Sequence, residues 1–137
     1  MFPINLAAVS VAAVAALVIG FMFHGPLFGE LWMKLANIHP TGNEKFTDML
    51  PQMFWNFVAN FVTAFVLAGL LWMSSLSLGP ISWGRGALAA AWIWLGFMAT
   101  SSSMEVIWMG RNYKLLLFEC VASLTAMAAM GAIIAAW

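Results

Sequence analysis

Four long apolar stretches alternate with short polar ones along the chain. They cover residues 4–23, 51–73, 86–108 and 115–137, and the only charges inside them are Glu105 and Glu119. An α-helix rises about 1.5 Å per residue, so roughly twenty apolar residues cross a hydrocarbon layer about 30 Å thick. Each stretch therefore predicts one transmembrane helix, and together they predict a single all-α domain over residues 1–137, an integral membrane four-helix bundle. The SSLSLGPISWG segment after the second stretch carries Ser, Gly and Pro and marks a turn. Between the first two stretches, His24-Gly25-Pro26 stops one helix, and Pro26 suits the first turn of another. Leu27, Phe28, Leu31, Trp32 and Leu35 then share one helical stripe, opposite Glu30 and Lys34, which predicts a short interfacial amphipathic helix over about 26–37. A polar loop, NIHPTGNEKFTD, follows it.

Composition fixes the solvent. Of 137 residues 64% are hydrophobic and 7% charged, with a net charge of zero, whereas a water-facing domain carries about a quarter charged residues. The bilayer is thus the first partner. The same balance excludes a disordered chain and leaves no basic face for nucleic acid. One cysteine, Cys120, allows no internal disulfide, and two histidines cannot build a Cys/His zinc cage. No phosphate loop, dinucleotide fingerprint, HExxH or nucleophile elbow occurs. The expectation is no enzyme, with no catalytic residues, metal or cofactor. The first apolar run lacks a basic n-region and exceeds a usual signal-peptide core, so it reads as a retained span.

Orientation follows from the loops. With four spans, Lys34, Lys45, Arg111 and Lys114 lie on one side and Arg85 on the other, which places the first side in the cytoplasm and both termini outside. Trp32, Trp55 and Trp108 fall near one interface and Trp72, Trp83 and Trp137 near the other, as an aromatic belt requires. Trp92 and Trp94 lie within the third span and are expected against lipid or a neighbouring helix. Membrane helices associate through small residues that let backbones approach. Ala8, Ala12, Ala16 and Gly20 form such a ridge on the first span, and Ala128, Ala132 and Ala136 form another on the fourth.

Nine of the ten charges belong to one end of the bundle, together with both histidines, Asn56 and Asn60. Asn56 and Asn60 sit at i, i+4 on the second span. Glu105 and Glu119 flank the 109–114 turn at similar distances, so an antiparallel hairpin brings them to similar depth. Intramembrane carboxylates are costly and mark functional candidates. Glu105, Glu119, His24, Asn56 and Asn60 therefore compose a candidate polar pocket opening to one side, able to hold a proton, a cation or a small polar solute. A plainer arrangement has each glutamate snorkelling or paired with Arg111 or Lys114.

The stretch from Gly20 to Asn37, GFMFHGPLFGELWMKLAN, resembles the signature after the first span in the bacterial membrane family catalogued as domain of unknown function 1761. Asn5, Gly20, Phe23, Gly25, Pro26, Leu27, Phe28, Gly29, Trp32 and Met33 carry that resemblance, and GRNYKLLLFECVASLTAMAAMGAIIAAW is similar to the family's last hairpin. His24 stands where that family usually has an aromatic such as Tyr, and Glu119 and Ser123 stand where Asn and His are expected. The resemblance implies four spans and no activity; the expected location is a bacterial inner membrane. The expected role is a structural or interaction unit, a homo-oligomer or a subunit of a membrane complex. The alternative is binding or transport through the one-sided polar pocket.

Overall fold

The computed structural model describes residues 3–137, and every regular element among them is helical. Helix α1, Leu6–Met22, opens on Asn5, whose side chain accepts hydrogen bonds from the amides of Ala7 (2.9 Å) and Ala8 (3.2 Å). That is the capping chemistry by which a short amide side chain satisfies the unpaired donors of a helix start. Past Met22 the helix widens into a π-turn over Phe23–Leu27 and breaks at Gly25, where φ is −124° and ψ is −106°. Helix α2, Gly29–Leu35, follows immediately. A Cβ at Gly29 would lie 3.0 Å from the His24 carbonyl oxygen, a tight approach that glycine relieves.

A 3-10 turn, Phe46–Met49, leads into α3, Leu50–Leu78. This helix runs past the expected end at residue 73, since Ser74 and Ser75 donate their hydroxyls to the carbonyls of Leu70 and Trp72 and so stay within the helix. It stops at Gly79, whose φ of +73° suits a residue without a Cβ. Helix α4, Trp83–Ile93, a π-turn over Trp94–Ala99 and α5, Thr100–Met109, make one continuous third span. Helix α6, Tyr113–Ala136, is capped by Asn112, which accepts from the Lys114 amide at 3.0 Å.

All four spanning segments are long and apolar enough to cross a membrane. They pack as an arc in the order α3, α1, α6, α4, with α6 meeting α1, α3 and α4, while α3 and α4 scarcely touch. The core is built from Val9, Ala12 and Ala16 of α1, Ala64, Leu67 and Leu71 of α3, Ala90 and Trp94 of the third span, and Met127 and Met130 of α6. Trp94 is anchored there by donating its indole N–H to the Ser123 hydroxyl at 2.9 Å, whereas Trp92 is largely exposed.

The tightest seam lies between α4 and α6. A Cβ on Gly86 would overlap the Gly131 carbonyl and the Ala135 methyl, and one on Gly131 would overlap the Gly86 carbonyl. Two small-xxx-small pairs, Gly86 with Ala90 and Gly131 with Ala135, thus bring the backbones together.

The two alanine ridges end in different places. Ala8, Ala12 and Ala16 are buried inside the bundle with Gly20 half-buried beyond them, while Ala128 and Ala132 are half-buried and Ala136 is exposed.

The interfacial helix is shorter than 26–37. Pro26 and Leu27 belong to the preceding π-turn, because the break at Gly25 postpones the next α-helical turn to Gly29. Of its stripe, Leu27, Phe28 and Leu31 are exposed, and Trp32 and Leu35 are half-buried.

Candidate functional site

The polar end of the bundle is shaped by the α1–α2 junction, the start of α3 and the α5–α6 turn. It holds two separate constellations. In the first, Arg111 lies in the turn between α5 and α6 and bridges both intramembrane carboxylates. One guanidinium nitrogen, Nη1, donates to Glu105, and Nη2 donates to Glu119 at 3.3 Å. The left-handed turn at Gly110, φ +65°, lets the chain double back so that Arg111 reaches both. The hydrogen bond that Arg111 donates to Glu105, and next the charge of Glu119, raise the Arg111 pKa above its ordinary value, so the guanidinium remains a cation. The space between these side chains admits no solute: the hollow lined by Ser102, Glu105, Arg111 and Glu119 has no room for even a water-sized sphere.

The second constellation surrounds a cavity of about 460 Å³ between α1, α2 and α3. Its walls are Leu17, Phe21, Trp32 and Met53, and its polar groups come from His24, Gln52 and Asn56. His24 is positioned by the π-turn. Its Nδ1 lies 2.9 Å from the Gly20 carbonyl oxygen, so Nδ1 carries a proton and donates it. The imidazole edge packs against Trp32 and Phe118, with centroids 5.2 and 5.5 Å away. Asn56 accepts from the Asn60 amide at 3.0 Å, which leaves the Asn56 NH2 group for another partner. The Gln52 amide is oriented with its NH2 toward the Asp48 and Met49 carbonyls, at 2.8 and 3.3 Å, which turns its oxygen away from them.

The five residues expected in one pocket are therefore divided. Glu105 and Glu119 do meet, at Arg111; His24 and Asn56 line the cavity; Asn60 supports Asn56 and is not part of the cavity wall. No three His, Cys, Asp or Glu side chains among the described residues are grouped closely enough to hold a metal ion, so His24 does not join the glutamates. The sequence pattern did not single out Gln52, and it placed Trp32 at the interface rather than in a cavity wall. A polar residue one turn before Asn56 on the same helix was the signal for Gln52, since i and i+4 share a face.

Farther into the 24–52 connection, Glu44 closes a tight loop by accepting from the Thr41 amide (2.7 Å), the Thr41 hydroxyl (2.9 Å) and the Gly42 amide (3.0 Å). The Thr41 amide first, then its own amide and the Thr41 hydroxyl, hold its carboxyl below the usual value of 4.5.

Four apolar helices of spanning length, faced by lipid-compatible side chains, define a polytopic integral membrane protein. Residues 7–135 match the family described as protein of unknown function (DUF1761), and the chain belongs to that family. Neither a curated protein nor a solved structure matches it.

Proposed function

We propose that the protein is a membrane interaction unit that self-associates or joins a larger complex through the outer face of α6. The observation that supports this is the ridge of Ala128, Ala132 and Ala136. The intramolecular crossing with α4 uses Gly131 and Ala135 instead, and the helical spacing sets the ridge beside Val121 and Thr125, both exposed. Small residues on a lipid-facing surface give up little contact with lipid and permit close approach of a second helix. Thr125 keeps its hydroxyl on the Val121 carbonyl, so the face carries no unsatisfied polar group into lipid. The polar end belongs in the cytoplasm of a bacterial inner membrane, with both termini outside, on the excess of Lys34, Lys45, Arg111 and Lys114 over Arg85.

The test is the mass of the detergent-solubilised protein with lipids and partners retained, for the wild type and for Ala132→Leu. A wild-type oligomer or complex that the bulky side chain disperses, with helicity unchanged, agrees with the proposal. A wild type that is monomeric and copurifies with nothing refutes it.

A second reading, solute binding, is favoured by the cavity beside His24. The glutamates do not contribute to it, because Arg111 occupies both. The reading therefore rests on His24, Gln52 and Asn56.

A further inference from the structure

We infer that the cavity between α1, α2 and α3 binds an uncharged amphiphile, one whose head carries both a hydroxyl and a carbonyl group. The inference rests on the second reading above, that this cavity takes a solute, and it names the chemistry of that solute.

Charge decides the first step. No Lys, Arg, Asp or Glu lines the cavity. A phosphate head or an ammonium ion would enter with no counter-charge, and an ion desolvated without a partner is strongly disfavoured. The occupant is neutral.

Hydrogen-bonding capacity decides the second. With its Nδ1 proton directed at the Gly20 carbonyl, the His24 ring has only Nε2 left for another hydrogen-bond partner. Gln52, its NH2 turned to backbone carbonyls, retains an oxygen acceptor. Asn56, its oxygen taken by Asn60, retains NH2 donors. The Gln52 oxygen as acceptor and the Asn56 NH2 as donor, with the remaining His24 nitrogen beside them, match a head that itself offers an O–H donor and a C=O acceptor.

Shape decides the third. The lining on α1 runs from Leu17 to Phe21, four residues that rise about 6 Å along the axis, and continues onto the π-turn at His24 and Gly25. The cavity thus leads from the polar end onto the apolar part of α1. Its walls there are Leu17, Phe21 and Met53, which suit an alkyl or ring portion. The volume of about 460 Å³ falls within the usual range for small-molecule sites, roughly 300–1,000 Å³. An acylglycerol carries both groups in one head; a quinol and its quinone carry them separately, hydroxyls in the reduced form and carbonyls in the oxidised form.

The experiment is native mass spectrometry of the full chain in detergent micelles. The probes are dioleoylglycerol, a decyl-substituted hydroquinone with its quinone, dioleoylphosphatidylglycerol as an anionic control, and glycerol as a tail-less polar solute. His24→Phe preserves the ring packed between Trp32 and Phe118 but removes both nitrogens; Asn56→Leu removes the donor. One neutral probe should be retained at one copy per chain, and each variant should weaken it about three- to tenfold, the effect of one lost hydrogen bond. Which of the two neutral probes is retained distinguishes the acylglycerol from the quinol. Equal or stronger retention of the anionic lipid, or neutral-probe binding unchanged in both variants, overturns the inference. Retention of glycerol alone overturns it while leaving the solute-binding reading intact, and retention of none of the probes overturns both.

Discussion

Gly86 and Gly131 sit at the closest approach in the bundle, and adding one methyl group to either tests whether this seam holds the third span in place. On Gly131 a Cβ would lie 2.6 Å from the Ala90 Cβ. Carbon atoms rest at about 3.5–4.0 Å, so α4 and α6 must separate by about 1 Å. Overpacking of that kind costs about 1–3 kcal/mol. Alanine also favours the helix over glycine by about 0.5–1 kcal/mol, which offsets part of the loss. The net expectation for Gly86→Ala or Gly131→Ala is destabilisation by about 1 kcal/mol, roughly a fivefold fall in the folded-to-unfolded ratio. Gly84, two residues away on the same helix, has nothing within 4 Å of its would-be Cβ, so Gly84→Ala should be neutral or slightly stabilising. The double variant of Gly86 and Gly131 should lose less than the sum of the singles, because one separation accommodates both methyls. Unfolding in mixed micelles by titration with a denaturing detergent, followed by far-UV circular dichroism, measures all four. If Gly86→Ala and Gly131→Ala unfold with the wild type, or if Gly84→Ala falls as far as Gly86→Ala, the close crossing does not govern stability and the reasoning fails.

Ser123→Ala should cost about 1–3 kcal/mol by leaving the Trp94 indole N–H unpaired against the core, and Trp94→Phe combined with Ser123→Ala should recover part of that loss; the same titration reads both, and equal stability of all three proteins contradicts the assignment. For Glu44 the sign runs from a depressed folded pKa: its contribution to the 41–44 loop is fully present above the ordinary value of 4.5 and is lost as pH falls through the lower folded value. Hydrogen exchange at the Thr41 and Gly42 amides should therefore be slow at neutral pH relative to Glu44→Gln, with the difference vanishing in acid, and a difference that persists at pH 2 contradicts it.

Much of this architecture was legible in the chain because the bilayer imposes one length on every span. The apolar stretches 4–23 and 115–137 overlap α1, Leu6–Met22, and α6, Tyr113–Ala136. The third span was legible as a length but not as a shape. Its π-turn at Trp94–Ala99 adds an extra residue to a turn, which rotates everything beyond it by about 100°. Whether Glu105 meets Glu119, Arg111 or lipid depends on that rotation, so the gathering of charge at one end could be read while its partners could not. His24 illustrates the same limit. Its position at a helix end was plain, but the π-turn that ties its Nδ1 to Gly20 and sets the ring between Trp32 and Phe118 has no signature in the apolar spacing. The loop expected after residue 73 failed for a local reason, since serine hydroxyls can satisfy carbonyls of their own helix as well as those of a turn.

Helix α6 is the last of the six to be synthesised, yet it is the one that α1, α3 and α4 all meet. During insertion, α1 and α3 can pair as a hairpin as soon as both have entered the bilayer. The third span then waits beside them with no seam of its own, since α3 and α4 scarcely touch. Until Gly131 arrives, the Gly86 face of α4 lies open to lipid or to any passing helix. The last span is therefore the one that closes the bundle, and the Gly86 face of α4 is covered only when it does so.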